Sequence, residues 1–455
     1  MLLYNLVMTI KQLLKDIASL HETKQEIKGW ITANRGNKKI RFVAVNDGST
    51  FANLQIVAKA EMGVDLELVD KARMGASVIV KGTLLHTPEG KQVAELVAEG
   101  FEILKNTDED FPLQKNGISR EVLREVPHLR HRTNLFRATM RVRSTLAQEI
   151  HAHFASKDYL LAASPIITGN DGEGAGEAFV VDDESKDAFF GKKATLGVTG
   201  QLHAEAYANG FGGVYTFAPT FRAENSHTQR HAAEFWMVEP EVAFADLQEI
   251  IKIADEMLKT VITKTMEKHP EEFNFLEKFV APGLHEKLQS YLGQKLTVMD
   301  YSDAIEELKK VADRFDEKDI KFGIDLATEH EKYIAEELVK GPVAVTNYPK
   351  DIKAFYMFQN EDGKTVAAFD LLVPGIGELI GGSQRECDYD KLVTRINEMG
   401  IDQEDLQWYL DLRRFGQGMS AGFGLGFERL VMYVTGVENI RDSIAFPRTP
   451  GKLMM

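Results

Sequence analysis

The sequence predicts an α+β protein that begins with a small β-barrel and continues into a larger region of mixed helices and strands. Between residues 25 and 104, short segments rich in β-branched and aromatic residues are separated by turn residues, as in a compact all-β unit. Residues 105–116 are polar and acidic and contain a proline, which is typical of a linker. Beyond this stretch, apolar residues recur at helical spacing and in short runs, so we expect helices packed on a sheet.

The barrel is predicted from the spacing of its strands. It is preceded by apolar residues at helical spacing, interleaved with charges, which indicate an amphipathic helix and not a signal peptide. Asn46-Asp47-Gly48 is a typical hairpin turn. Five strands in roughly eighty residues are typical of an OB-type closed barrel. The strands are expected at 25–33, 40–46, 53–58, 76–86 and 93–104.

The second region opens with a long helix and a short strand. Apolar residues recur at helical spacing between residues 136 and 154, and an apolar run follows at 164–168. Proline lacks the N–H that a central strand needs, so Pro165 predicts an edge position. We therefore predict an amino-terminal helix and barrel in 1–105, a linker in 106–116 and a second domain in 117–455, with a helical insertion around 246–340.

Composition limits the classes to which this chain can belong. Its 455 residues are 44% hydrophobic, enough for cores in more than one domain. Cys387 is the only cysteine, which excludes an internal disulfide and a cysteine-based zinc site and favours a cytoplasmic location. No run of about 18 uncharged apolar residues occurs, so no membrane span is predicted. The net charge is −15, but residues 1–105 hold 14 Lys and Arg against 12 Asp and Glu, so the barrel can still approach a nucleic-acid backbone.

Two strings of residues suggest a chemical function. The first supplies two arginines, a histidine, acidic side chains and an aromatic pair within residues 221–236. Such groups can hold a nucleoside triphosphate without a glycine-rich phosphate loop, because a guanidinium both neutralises phosphate and stacks on a flat base. The second, at 422–429, has the wrong glycine spacing for a dinucleotide-binding loop. The strings are Phe221-Arg222-Ala223-Glu224, Arg230-His231 and Glu234-Phe235-Trp236, and Gly422-Phe423-Gly424-Leu425-Gly426-Phe427-Glu428-Arg429.

Together these strings resemble motifs 2 and 3 of the class II aminoacyl-tRNA synthetases. The resemblance runs from about residue 24 to 451 and is closest to the asparaginyl branch of the aspartyl, asparaginyl and lysyl subgroup. It implies an OB-fold anticodon-binding barrel and a class II catalytic domain, which is an antiparallel sheet flanked by helices. It also implies activation of asparagine by ATP and transfer to tRNA(Asn). The helix and strand at 136–168 resemble motif 1, which implies a homodimer.

The resemblance assigns roles around ATP. Arg222 would contact the α-phosphate, Glu224 the amino edge of adenine and His231 the γ-phosphate. Phe235 would stack on the adenine, and Arg429 would cover the other face of the ring and reach the γ-phosphate. Because the substrate carboxylate is itself the nucleophile, the catalytic work of Arg222 and Arg429 is positioning and electrostatic stabilisation.

Two carboxylates, Asp370 and Glu378, lie eight residues apart around a Pro374-Gly375 turn. Mg²⁺ usually takes one or two carboxylates together with phosphates and water, so the pair is a plausible metal site on residue type alone. The resemblance gives both residues that role.

Recognition of asparagine requires one donor and one acceptor, whereas an aspartate pocket needs donors only. By resemblance, Arg414 supplies the donor and Glu239 the acceptor, while Glu177 and Gln201 hold the α-amino end. The chain departs from the family at Met419-Ser420-Ala421-Gly422, where Pro-His-Ser-Gly is usual. This difference borders the amino-acid pocket and leaves the ATP residues unchanged.

In the barrel, the resemblance makes Phe42 a stacking platform and Gln55 a base-edge reader for the anticodon, which suits the way single-stranded RNA is recognised. The alternative for Phe42 is a core aromatic of the barrel. Three other functions remain open: an aspartyl enzyme without strict discrimination, a tRNA-independent ligase that makes asparagine from aspartate and ammonia, and a non-catalytic paralogue. The barrel argues against the second, and the presence of both Arg222 and Arg429 argues against the third.

Overall fold

The protein is described by a computed structural model, which covers residues 8–90, 92–113, 117–169, 172, 178–183, 185, 187, 189–226 and 228–455. It divides into two compact units, Met1–Ala138 and Thr139–Met455. The predicted fold class is confirmed, since the first unit contains a closed five-stranded barrel and the second a largely antiparallel sheet with helices. In the described part of the chain, no helix is both long enough and apolar enough to cross a membrane.

The first unit is organised around the barrel, whose strands follow the order β1-β2-β3-β5-β4. Alternate residues such as Val43, Val45, Leu54 and Ile56 are buried and form its core. Helix α1 begins with a capping box at Thr9 and packs apolar residues into the same core. The elements are β1 (Thr23–Gly36), β2 (Ile40–Asn46), β3 (Leu54–Lys59), β4 (Ser77–His86) and β5 (Ala94–Lys105), with α1 (Ile10–Lys15), α2 (Leu66–Lys71), α3 (Arg120–Glu125) and α4 (Pro127–Arg130).

The predicted hairpin at Asn46-Asp47-Gly48 does join two antiparallel strands, β2 and β3, but through a wider loop than a two-residue turn. The buried Asn46 side chain closes this loop. Its amide donates to the carbonyl oxygens of Thr50 (3.1 Å) and Ala52 (2.8 Å), and its oxygen accepts from Gly48 N (2.8 Å). One side chain thus satisfies several backbone groups that the loop would otherwise leave unpaired.

The second unit is built on an eight-stranded sheet with the order β12-β13-β14-β15-β16-β11-β10-β6. Its outermost pairs at either edge are parallel and all the inner pairs are antiparallel. The strands are β6 (Leu160–Leu161), β7 (Ile167–Thr168), β8 (Val180–Asp182), β9 (Ala194–Leu196), β10 (Gly213–Phe221), β11 (Glu234–Ala243), β12 (Thr297–Asp300), β13 (Val343–Thr346), β14 (Ala368–Val373), β15 (Gly377–Gln384) and β16 (Ser420–Gly426). The helices are α5 (Asn134–Ala155), which begins before the division, α6 (Gln201–Phe211), α7 (Leu247–Lys268), α8 (Pro270–Phe279), α9 (Leu284–Gly293), α10 (Tyr301–Lys309), α11 (Thr328–Tyr333), α12 (Tyr389–Glu398), α13 (Gln407–Arg414), α14 (Phe427–Thr435) and α15 (Ile440–Ser443).

The long helix expected between residues 136 and 154 is α5, but the strand expected at 164–168 is reduced to β7. Pro165 lies outside it, because proline has no N–H to donate to a neighbouring strand. β7 pairs with β9 in a separate three-stranded sheet, while β6 joins the edge of the main sheet. Within 246–340 the helices are interrupted by β12, which forms the opposite edge of the main sheet.

Lys287 of α9 is half-buried against α14 and gives a pH-dependent prediction. Its Nζ donates to the Tyr433 carbonyl (2.9 Å) and lies 4.5 Å from the centre of the Tyr433 ring. Burial lowers the pKa of Lys287 to about 8, from 10.5. Between these values the unfolded chain binds more protons than the folded one, so stability rises with pH in that window.

In Lys287→Met this contribution is absent. We expect the unfolding free energy of the wild type, relative to the variant, to increase by about 1–3 kcal/mol between pH 7.5 and 10. Urea denaturation of both proteins at the two pH values measures it. An unchanged difference would show that Lys287 keeps an ordinary pKa in the folded protein.

Candidate active site

One face of the main sheet carries several of the predicted site residues, because side chains alternate along a strand. On β11 the alternation places Phe235, Met237, Glu239 and Glu241 on the same face. Strand β11 pairs with β16 and β10, and β16 pairs with β15, so this face continues across the middle of the sheet. At about 3.4 Å per residue, Phe235 and Glu239 are roughly 14 Å apart along the strand. The face therefore has two ends, marked by these two residues.

The glycine-rich string is not a loop but strand β16. Two of its glycines face β11 side chains at close range. A Cβ at Gly422 would lie 2.1 Å from Glu241 Oε1, and one at Gly424 would lie 2.8 Å from Met237 Cε. These positions need glycine because the β11 side chains already occupy the space in which a Cβ would lie.

A cavity of about 820 Å³, including space open to solvent, lies at the Phe235 end of this face. It brings together all five residues predicted to bind ATP, which are Arg222, Glu224, His231, Phe235 and Arg429. Residues not assigned by the sequence also line it, among them Arg230, Glu428 and Ile440. Arg230 belongs to the 221–236 string, and its Nη1 donates to Thr328 Oγ1 of α11 (3.3 Å).

The β10–β11 hairpin positions the first arginine of the site. Arg222 follows β10, and its N–H donates to Ala233 O (3.0 Å), which closes the base of the loop. Its guanidinium carbon lies 5.6 Å from the centre of the Phe235 ring, within the range of a cation–π contact. The stacking ring and the phosphate-binding arginine predicted for ATP are therefore neighbours.

His231 lies in the same loop, with Nδ1 3.0 Å from Ser226 Oγ and 2.5 Å from Thr228 Oγ1. Burial and the nearby Arg429 charge lower the pKa of His231. At neutral pH its imidazole is then neutral, and it can donate or accept a hydrogen bond but adds no charge.

Arg429 stands in the first turn of α14 and links the cavity to the carboxylate pair. Its Nη1 donates to the carbonyl oxygen (3.1 Å) and to Oε2 (3.0 Å) of Glu378. The second predicted carboxylate, Asp370, accepts from the buried Lys353 Nζ (2.8 Å). Gly381 lies between the two, since its Cβ would be 2.9 Å from Glu378 Oε1 and 3.3 Å from Asp370 Oδ1.

The two carboxylates differ in their electrostatic surroundings. Burial favours protonation of Glu378, but the charges of Arg429 and Lys353 outweigh it and lower the pKa of Glu378. For Asp370, burial and the Glu378 charge raise the pKa despite the opposing effect of Lys353. A third carboxylate, Glu331 of α11, accepts from Glu378 N (3.0 Å), and burial and the Glu378 charge raise its pKa to about 7.

The chemistry of this donor set fits a hard cation only in part. Among the residues that the structure describes, no three His, Cys, Asp or Glu side chains are arranged to hold a metal ion alone. Two adjacent carboxylates do suit Mg²⁺, which takes few protein ligands when phosphate and water complete its shell. The site is thus compatible with a metal that arrives with a nucleotide.

At the other end of the face, Glu239 is buried and already hydrogen-bonded. Its Oε2 accepts from Gly200 N (2.8 Å) and Thr216 Oγ1 (3.0 Å), and its Oε1 accepts from Thr199 Oγ1. Gln201, at the start of α6, donates to Glu205 Oε1 (3.3 Å). Glu239 therefore holds the Thr199-Gly200 segment that leads into Gln201. Glu177, the fourth predicted amino-acid residue, lies outside the described residues.

Arg414 does not line this face. It lies on α13 with about half of its side chain exposed, and its Nη1 pairs with Asp411 Oδ1 (2.9 Å). This placement does not support the predicted contact with a substrate side chain. Resemblance alone located that arginine in the string Leu412-Arg413-Arg414 and could not tell which way its side chain points.

Arg385 is the arginine that the sheet places beside Glu241. It follows β15, is 2% exposed, and its Nε (3.1 Å) and Nη2 donate to the two Glu241 oxygens, while Nη1 donates to Ser383 Oγ (2.7 Å). Glu205, the partner of Gln201, has Oε1 3.9 Å from Arg385 Nε. Alternation from Gly381 through Ser383 to Arg385 is the sequence signal that could have identified it.

In the first unit, the two predicted RNA-contact residues share the outer face of the barrel. Phe42 is opposite Val57 and Gln55 is opposite Ala44 in the β2–β3 ladder, and their neighbours Val43 and Ile56 point inward. Phe42 is half-buried, and Gln55 Nε2 donates to Glu95 Oε1 (2.6 Å). Phe42 is therefore outside the buried core of the barrel.

Two protein-family models match the chain. Residues 119–450 match the model of the class II tRNA synthetases (D, K and N), where the letters denote aspartate, lysine and asparagine. Residues 26–104 match the model of the OB-fold nucleic acid binding domain. The first match covers the sheet and its site, and the second covers the barrel.

Individual proteins are similar over nearly the full length. The asparagine–tRNA ligase of Mycoplasma mobile is 64% identical, covering 98% of this chain and all of that protein. That of Metamycoplasma arthritidis is 60% identical, covering 98% of this chain and 99% of the relative. The crystal structure of the Pyrococcus horikoshii asparaginyl-tRNA synthetase with asparaginyl-adenylate is 34% identical and has a TM-score of 0.86, covering 96% of this chain and 97% of that one.

Proposed function

The chain belongs to the class II tRNA synthetases of the aspartate, lysine and asparagine group, and from this membership we propose that it activates asparagine with ATP and transfers it to tRNA(Asn). The observation that carries the proposal is the single sheet face, which has a cavity at the Phe235 end and buried polar side chains at the Glu239 end. The two substrates of an adenylation reaction would lie side by side on such a face.

The first half-reaction joins the two ends of the face. The asparagine carboxylate oxygen attacks the α-phosphorus of ATP, and the bond from that phosphorus to the bridging oxygen of pyrophosphate breaks. The electron pair leaves with pyrophosphate. Arg222 and Arg429 stabilise charge on the phosphates, and Phe235 with Glu224 holds the adenine, so the protein contributes positioning and electrostatics and no nucleophile of its own.

For Mg²⁺, Asp370 and Glu378 are the residues that would hold the ion. When bound, it would neutralise charge on the phosphate oxygens. Lys353 pairs with Asp370 and Arg429 pairs with Glu378, so two cationic side chains balance the negative charge of the carboxylates. The Glu331 carboxylate accepts from the backbone N–H of Glu378 and so braces the turn before that residue.

Selection of asparagine is assigned to Glu239 and Arg385. Glu239 has three protein donors, and a carboxylate can accept about four hydrogen bonds, which leaves room for the substrate amide. Arg385 lies on the same face, and Gln201 holds the α-amino end with Glu177. An aspartate side chain would meet the Glu239 charge in a buried place, where it is poorly screened.

The second half-reaction needs tRNA. The terminal ribose hydroxyl attacks the acyl carbon of the adenylate, and AMP leaves with the electron pair of the broken carbon–oxygen bond. The barrel would bind the anticodon through Phe42 and Gln55 on its outer face. Binding of this kind contributes to charging and not to the small-molecule half-reaction.

Phe42→Ala in the full chain tests the role of the barrel. Stacking of one base on an aromatic side chain is worth about 1–3 kcal/mol, so we expect the KM for tRNA to rise about fivefold to a hundredfold. ATP–pyrophosphate exchange with asparagine, measured on the same variant, serves as its control and should stay at the wild-type rate. Wild-type charging by Phe42→Ala would remove this residue from the anticodon site.

A homodimer through motif 1 is also part of the proposal. Around β6, β7 and β8, several apolar side chains are 40–60% exposed, as expected of a surface covered by a second copy. They are Leu160 (42%), Leu161 (49%), Ile166 (42%), Ile167 (43%), Val180 (56%) and Val181 (47%).

One experiment tests the proposed function against its rivals. Total tRNA is charged in parallel with labelled asparagine and labelled aspartate. Charging with asparagine alone supports the proposal, and equal charging with both supports an aspartyl enzyme without strict discrimination. Formation of free asparagine from aspartate, ammonia and ATP without tRNA would support the tRNA-independent ligase instead.

A further inference from the structure

Arg143 of α5 lies outside the cavity but contacts two of the segments that build it. Its Nη2 lies 2.7 Å from Glu428 Oε1, and its Nη1 donates to the Ser443 carbonyl of α15 (3.1 Å). Its guanidinium carbon is 4.6 Å from the centre of the Phe427 ring. The side chains of Arg143 and Glu428 are 17% and 2% exposed, so the pair is largely shielded from water.

The first of these contacts leads to the adenine end of the cavity. Glu428 Oε2 accepts from Trp236 N (2.9 Å), just beyond the last paired residue of β11 against β16. Glu428 is adjacent to Arg429, and Trp236 is adjacent to Phe235. A single buried carboxylate thereby sets the distance between the stacking ring and the arginine of α14.

The second contact leads to the loop of the β10–β11 hairpin. Helix α15 holds that loop, because Ile440 N donates to Gln229 O (2.8 Å) and Arg441 Nη1 donates to Thr228 O (3.3 Å). Ile440 itself lines the cavity. By fixing the end of α15, Arg143 also restrains the loop that carries His231.

We propose that Arg143 is a positioning residue for ATP, which orients Phe235, Arg429 and the His231 loop through Glu428 and α15. The proposal rests on the proposed function, since it takes the cavity to be the ATP site. If Arg143 is removed, Glu428 becomes a buried carboxylate without its cationic partner, a state that costs several times more than a surface charge. Glu428 would then move or take up a proton, and Trp236 N–H would lose a fixed acceptor.

The test compares the effect of a variant on the KM for ATP with its effect on the KM for asparagine. In Arg143→Met we expect the KM for ATP in pyrophosphate exchange to rise about tenfold or more, because Phe235, Arg429 and the His231 loop would no longer be preorganised for binding. The KM for asparagine should stay within about twofold of the wild type, since Glu239 and Arg385 are held by other partners. Calorimetric titration with ATP alone gives a second readout that does not depend on turnover.

Arg141→Met is the matched control. Arg141 is on the same helix, but its Nε donates to Glu272 Oε1 (2.9 Å) of α8, away from the cavity. Its loss should lower the melting temperature and leave both Michaelis constants unchanged. Equal effects of Arg141→Met and Arg143→Met on ATP, or an equal rise in both Michaelis constants in Arg143→Met, would overturn the proposal.

Two further variants keep the test decisive if Arg143→Met does not fold. Arg143→Lys retains a charge but has one ammonium, which cannot span both acceptors, so a smaller rise in the KM for ATP is expected. Glu428→Gln should also raise the KM for ATP. In the double variant with Arg143→Met, the rise should be smaller than the two single effects combined, because both residues act through the same contact. Unchanged ATP affinity in all folded variants contradicts the role of Arg143. No exchange in the wild type would instead contradict the proposed function.

Discussion

Arg429→Ala and Arg222→Ala are each expected to reduce ATP–pyrophosphate exchange by about a hundredfold to a thousandfold. Each guanidinium is assigned to charge that develops on the phosphates, and removing one such electrostatic contact typically costs about 3–4 kcal/mol in the transition state. Arg429→Ala has a second consequence, because it also removes the cation that pairs with Glu378. Steady-state exchange with saturating asparagine measures both variants.

Arg314→Ala is the control for these substitutions. Arg314 forms a two-point pair with Glu337, but both side chains are about half exposed, so solvent screens the interaction. Exchange by this variant should equal that of the wild type. If a folded Arg222→Ala or Arg429→Ala variant retains exchange within about tenfold of the wild type, the role assigned to that arginine is wrong.

Glu239→Gln is expected to reduce the preference for asparagine over aspartate by about tenfold to a hundredfold. Glutamine can replace the carboxylate without loss of packing, since its oxygen can accept from Gly200 and Thr216 while its amide donates to the Thr199 hydroxyl. The change therefore removes the charge that excludes aspartate, and it also weakens the acceptor for asparagine. Exchange with each amino acid, as kcat/KM, measures the ratio.

Two arginine variants complete this test. Arg414→Ala should leave the ratio and both rates near wild type, because the side chain is exposed and pairs with Asp411. Arg385→Lys keeps a charge beside Glu241 but loses the two-point geometry, so use of both amino acids should fall. An unchanged ratio in Glu239→Gln would return attention to the 419–421 string, and a loss of activity in Arg414→Ala would restore the role first predicted for that arginine.

The barrel, the long helix and the clustering of the five residues assigned to ATP could be predicted because local signals determine them. Strand periodicity and turn residues identify the barrel, and the 221–236 string keeps its site residues close together in sequence, so a single hairpin brings them into one cavity. The proximity of Asp370 and Glu378 could be predicted in the same way, since they lie on adjacent strands of a short hairpin.

The amino-acid end could not be predicted as well, because it depends on long-range pairing. Glu241 and Arg385 are 144 residues apart and meet only through the β11–β16–β15 order of the sheet. Arg413 and Arg414 show the same limit. One is buried against Glu205 and the other is exposed, and only helix rotation distinguishes these neighbours.

Strand β16 has a consequence for how the substrate range of this chain could change during evolution. Its glycines leave space for Glu241 and Met237 next to the sheet, so any side chain at Gly422 or Gly424 would displace a residue of the face before it touched a substrate. Single substitutions at these two glycines therefore cannot extend the substrate range step by step. Acceptance of larger or differently charged amino acids would have to arise from other positions, such as Thr199 and Thr216 beside Glu239 or the 419–421 string, where single substitutions leave the glycines in place.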